Sequence, residues 1–128
     1  MKKFIPIITS IISVFALTSC SHRLADTWRV THYEIQNSNF QTARVTNIGT
    51  MSFDNNNRGN KNLEFNFFNT QIRDVSPFSW DDSKNFIVIK SDNSDLSRTW
   101  KKVQNKSKVQ KWVSEDNPDE KRILVLRR

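Results

Sequence analysis

A chain of 128 residues with a single cysteine holds one domain and cannot close an internal disulfide, so its core must come from apolar burial. Twenty Lys/Arg against thirteen Asp/Glu give a formal charge of +7, while two histidines and the lone Cys20 leave no zinc ligand set.

The chain opens MKKFIPIITSIISVFALTSC. Lys2 and Lys3 precede an apolar run, Phe4 to Leu17, and small polar Thr18 and Ser19 lead to Cys20. This is the three-part grammar of a secretory signal. A membrane span needs about 20 mostly apolar residues, and this run is shorter and interrupted by Pro6, Thr9, Ser10 and Ser13. Leu17-Thr18-Ser19-Cys20 resembles the bacterial lipobox. The resemblance implies cleavage before Cys20, a diacylglycerol thioether on its sulfur and acylation of the new amine. Two or more acyl chains hold a protein to a bilayer stably, where one holds only marginally. Ser21, in place of the aspartate that retains such proteins at the inner membrane, implies an outer-membrane address facing the periplasm. The expected organisation is a removed signal at 1–19, a lipidated tether at 20–25 and a domain at 26–128. Losing Lys2 and Lys3 lowers the formal charge from +7 to +5.

From Thr27 onward the dominant period is two. Trp28 and Val30 alternate with Arg29 and Thr31, and Met51 and Phe53 share a face before the turn Asp54–Gly59. Leu63, Phe65 and Phe67 fall together opposite Glu64 and Asn66, and Phe78 pairs with Trp80. Asp82 to Asn85 turn the chain into FIVIK; SKVQKWV, SEDNPDEK and RILVLRR then read as strand, turn and strand. With a segment near Trp100 this makes about eight short strands, an all-β antiparallel meander closing into a small barrel. An eight-stranded sandwich is the rival for the same alternation. In SDLSRTWKKVQNK, Leu96, Trp100 and Val103 fall at helical spacing with Ser94 as N-cap, so a short helix over 94–104 competes with a strand.

The layout resembles the lipocalin-like lipoproteins of Gram-negative bacteria. The residues that carry it are Leu24 to Val30, Gly49-Thr50-Met51-Ser52-Phe53 with the turn after it, Phe78-Ser79-Trp80, and Ile123 to Arg127. In that family a tryptophan plugs the closed barrel end beneath a late basic side chain. The resemblance assigns these places to Trp28 and Arg127, with Arg128 as the alternative. The family's glycine two positions before the tryptophan is Asp26 here.

Two functions follow from different classes. In a barrel with room inside, Trp28, Met51, Phe53, Leu63, Phe65, Phe67, Phe78 and Trp80 would line a site for a small apolar ligand, given a cavity of a few hundred Å³. If the same side chains fill the barrel, the protein acts instead as an accessory lipoprotein through contacts with envelope proteins. Ile87, Ile89, Trp112, Leu124 and Leu126, out of phase with their apolar neighbours, would then form an exposed strip. The basic run Arg98, Lys101, Lys102, Lys106, Lys108 and Lys111 could face anionic headgroups or simply water. Nucleic acid is a poor partner for an exported, anchored chain. Catalysis is not expected: His22 lies in the tether, and no nucleophile motif accompanies His32. The Asp54 turn lacks the glutamate of a calcium loop, with Phe65 at the twelfth position. No cofactor or metal is expected.

Overall fold

The computed structural model describes residues 24–39 and 41–128. The signal, the lipobox and Cys20 lie outside the described residues. The strands run β1 (Thr27–Asn37), β2 (Thr42–Phe53), β3 (Arg58–Phe67), β4 (Thr70–Asp82), β5 (Phe86–Lys90), β6 (Thr99–Asn105), β7 (Val109–Asn117) and β8 (Glu120–Arg127). Each pairs antiparallel with the next, and β1 also pairs with β8, so the sheet closes into an up-and-down barrel. That closure decides against the sandwich, because a barrel leaves no sheet edge at the β1–β8 seam.

Alternation explains most of what each strand buries. In β3, Gly59, Lys61, Leu63, Phe65 and Phe67 face in while Arg58, Asn60, Asn62, Glu64 and Asn66 face out. β1 breaks the period. A register shift between Val30 and His32 inserts one residue, so Trp28 and Val30 point inward before it and Tyr33 and Ile35 after it. One extra residue in a strand re-aims everything beyond it.

Two glycines let β2, β3 and β4 come close. Gly49 sits at φ +139°, and a Cβ there would lie 2.0 Å from the Asn62 carbonyl oxygen. Gly59 lies opposite both Phe53 and Phe78, and a Cβ there would meet the Phe78 ring at 2.4 Å. The space that Gly59 leaves is filled by that ring, which packs edge-on against Phe53 at 5.1 Å.

The segment that could have been helical is not. Ser94 Oγ accepts from the Leu96 amide at 3.1 Å and the Ser97 amide donates to the Ser94 carbonyl, forming a turn that leads into β6. The Leu96–Trp100 spacing has another cause: the Trp100 indole N–H donates to the Leu96 carbonyl at 3.0 Å.

Candidate functional site

An up-and-down meander sorts its loops to two ends. The base carries the start of β1, the turns at 54–57, 83–85 and 106–108, and Arg128. The distal end carries the connections at 38–41, 68–69, 91–98 and 118–119.

Between the ends lie the eight side chains expected inside, Trp28, Met51, Phe53, Leu63, Phe65, Phe67, Phe78 and Trp80, and all are buried. They leave little room. A void able to admit water would expose the side chains that line it, yet Trp28, Met51, Trp100 and Trp112 are 0% exposed. Phe53 stands edge-on to Phe78, Trp80 and Trp112 with centroids 5.1 to 6.1 Å apart. Every indole N–H is satisfied: Trp80 donates to the Arg58 carbonyl at 3.0 Å and Trp112 to Gln110 Oε1 at 3.1 Å.

The expected exposed strip is overturned. Ile87, Ile89, Trp112, Leu124 and Leu126 are all buried, because Ile87 lies opposite inward Trp100, and Trp112 opposite Leu124. Opposite residues share a face. Their neighbours Phe86, Val88, Ile123 and Val125 point outward instead.

At the base, the Trp28 indole donates to the Leu24 carbonyl at 3.1 Å. The cation over its ring is Arg128, at 4.6 Å, not Arg127. Strand alternation accounts for the correction: Leu126 points in, so Arg127 points out, toward a shallow recess with His32, Glu34 and Lys111. Arg128 donates to the Ser107 carbonyl at 2.5 Å and to Asp26 Oδ2 at 2.9 Å. Asp26, where the lipocalin pattern has glycine, thus holds the arginine that covers Trp28. On the outer wall, His32 Nε2 lies 3.1 Å from Glu34 Oε1. Burial opposes ionisation of Glu34, but hydrogen bonds from Gln36, His32 and Arg44 outweigh it and hold the carboxyl below its ordinary range.

The distal end is built from charge. Arg122 is in phase with Leu124 and Leu126 and points inward, donating to the Tyr33 hydroxyl at 2.7 Å and to Glu120 Oε1 through Nε at 2.7 Å. Asp95 Oδ2 lies 3.3 Å from the same guanidinium. Burial pushes the Tyr33 phenol up to about 12, against the opposing charge and hydrogen bond of Arg122. Deeper down, Lys61 has a fully buried side chain whose Nζ donates to Ser76 Oγ at 2.9 Å and Ser91 Oγ at 2.6 Å. It lies 3.2 Å from Asp74 Oδ1, and Asp74 Oδ2 accepts from Ser94 Oγ at 2.6 Å. Ser91 and Ser94 begin the 91–98 loop, so this network staples the loop across the barrel and Leu96 beneath it is 1% exposed.

A recess of about 300 Å³ opens at this end, with apolar walls from Ile35, Phe67, Phe68 and Ile72 and a polar side from Asp95, Glu120 and Arg122. Its rim residue Phe68 is 58% exposed and sits at φ 51°, followed by Asn69 at φ 64°. Two positive-φ residues make a type I′ hairpin turn, a place that favours Asn and Gly and disfavours a bulky aromatic.

Among the described residues, no group of three or more His, Cys, Asp and Glu side chains is placed to hold a metal. Sequence reasoning overlooked Tyr33–Arg122 and Lys61–Asp74. The readable signal was a charge in phase with an apolar face: Lys61 with Leu63 and Phe65, Arg122 with Leu124 and Leu126. Comparison with protein-family models, with curated proteins and with solved structures returned no match.

Proposed function

We propose that this chain is a non-catalytic envelope lipoprotein, anchored through an acylated Cys20 to the outer membrane and facing the periplasm, whose lipocalin-like barrel works through its outer surface rather than its interior. The observation that carries the choice between carrier and contact module is the filled barrel. A ligand of a few hundred Å³ would have to displace side chains packed around Phe53, Trp80 and Trp112. The anchor reading rests on the lipobox-like residues Leu17 to Cys20. The contact reading is supported by Phe68, a strained and exposed aromatic at the rim of the distal recess.

The test labels cells with an alkyne-bearing palmitate and follows membrane attachment in wild type and Cys20→Ala. Label and attachment should both vanish in the variant; attachment that persists contradicts the anchor. A photo-crosslinking residue at Phe68 should capture an envelope protein in intact cells, and capture of none contradicts the contact reading.

The distal recess favours a second reading, in which a small apolar ligand sits at the mouth between Phe67, Phe68 and Ile72 instead of inside. Extracting the purified protein and weighing what leaves with it distinguishes the two.

A further inference from the structure

We infer that the base of the barrel is a docking surface for an anionic lipid bilayer, an inference that rests on the Cys20 anchor reading. Charge is divided between the two ends. Lys84, Lys106, Lys108 and Arg127 are exposed around the base. Of the acids there, Asp26 is held by Arg128 and Asp82 by Lys102, which leaves Asp54 and Asp81. The distal end carries the opposite net sign: Asp92, Asp95, Glu115, Asp116, Asp119 and Glu120 outnumber Arg98, Lys121 and Arg122, with Asp95 and Glu120 paired to the two arginines.

Apolar surface accompanies the basic end. Phe86 opens β5 at the base, is 45% exposed and lies opposite Lys101, and Val103 on β6 is 51% exposed. Exposed aromatic and aliphatic groups beside lysines suit a headgroup interface better than plain solvent.

The chain outside the described residues brings this end, and not the other, to the bilayer. Leu24 is buried against Trp28, so the chain enters the barrel at the base. Cys20 lies four positions earlier, a reach of at most about 14 Å even fully extended. An acylated Cys20 therefore holds the basic ring near the surface, where a negative potential decaying over about 8 Å attracts each Lys and Arg. The acidic distal end, with Phe68 and the recess, is turned away from the lipid toward other proteins.

The full acylated protein tests this in vesicles of neutral phosphatidylcholine and in vesicles containing about 30% phosphatidylglycerol. Brief acetylation followed by peptide mass spectrometry reads the reactivity of Lys84, Lys106 and Lys108, with exposed distal Lys121 as the internal control. A surface potential of about −30 mV concentrates protons near the bilayer and lowers the free-amine fraction about threefold. The base lysines should therefore react about threefold more slowly on anionic vesicles, recovering at about 0.5 M salt, while Lys121 is unchanged. Equal rates on both vesicle types overturn the docking surface while leaving the anchor standing. Protection of Lys121 equal to that of the base lysines also overturns it. Protein that fails to float with either vesicle overturns the anchor and the docking surface together.

Discussion

The two ends of the barrel use the same local device and finish it differently. At each, an indole N–H returns to the carbonyl of a buried leucine four residues earlier, Trp28 to Leu24 and Trp100 to Leu96. At the base the cover comes from the last residue of the chain, Arg128, laid over the Trp28 ring and held at the surface by Asp26 and Ser107. At the distal end the cover is a loop, stapled from beneath by Lys61 and Asp74 and flanked by the inward Arg122–Tyr33 pair. A cover made at the surface costs little desolvation. One made from buried charges is held only while every charge keeps its partner. The distal end is thus the more conditional seal, and it is also the end with the recess and the strained aromatic.

If the two indole clips are equivalent, Trp28→Ala and Trp100→Ala should each destabilise the fold by about 3–5 kcal/mol, since both side chains are fully buried. Urea denaturation measures both, and a Trp100→Ala cost below about 1 kcal/mol would break the equivalence. The buried network is tested next. Asp74→Ala strands the Lys61 ammonium among serine hydroxyls and should cost about 3 kcal/mol, whereas Lys61→Met combined with Asp74→Leu should be close to neutral. A single-variant cost no larger than the double's would mean that Lys61 reaches water.

Tyr33 is the only tyrosine, so phenolate absorbance reports the distal end alone. Its folded-state value of about 12 lies above the ordinary 10.0. Between those values the unfolded phenol has lost its proton and the folded one has not, so rising pH favours unfolding. Stability from this group is complete below pH 10 and should fall by about 2–3 kcal/mol as pH climbs to about 12. A folded chain whose phenol titrates at its ordinary value would place Tyr33 in solvent. Smallest in effect, Phe68→Asn should stabilise the hairpin by about 0.5–1 kcal/mol, because Asn tolerates positive φ. If the substitution destabilises instead, Phe68 is a packing residue and not an exposed contact.

Much of the barrel was legible because large inward apolar side chains recur at every second residue, Met51 and Phe53 in β2, Leu63, Phe65 and Phe67 in β3, Phe78 and Trp80 in β4, where polar residues mark the other face. Legibility failed where that contrast failed. FIVI and ILVL are apolar at every position, so alternation gave no phase, and the true phase came from Trp100 and Trp112 across the sheet. The helical spacing of Leu96 and Trp100 was real but belonged to an indole–carbonyl bond, a device the sequence repeats at Leu24 and Trp28. Reading Arg127 as the cap required knowing on which residue β8 ends. Inward Lys61 and Arg122 resisted because a buried charge is legible only with its partners, and Asp74, Ser91 and Tyr33 lie far away in sequence.

The filled interior is the claim on which the choice of function turns, and the four indoles inside the barrel report on it directly. Titrating residues 21–128 with N-phenyl-1-naphthylamine, while following energy transfer from tryptophan, places any apolar guest beside Trp28, Trp80, Trp100 or Trp112. A filled barrel predicts no saturable transfer up to about 100 μM probe once Phe68 and Ile72 at the mouth are replaced by serine. Saturable transfer with a micromolar Kd, persisting when Phe68 and Ile72 at the mouth are replaced by serine, would put a ligand inside and contradict the account.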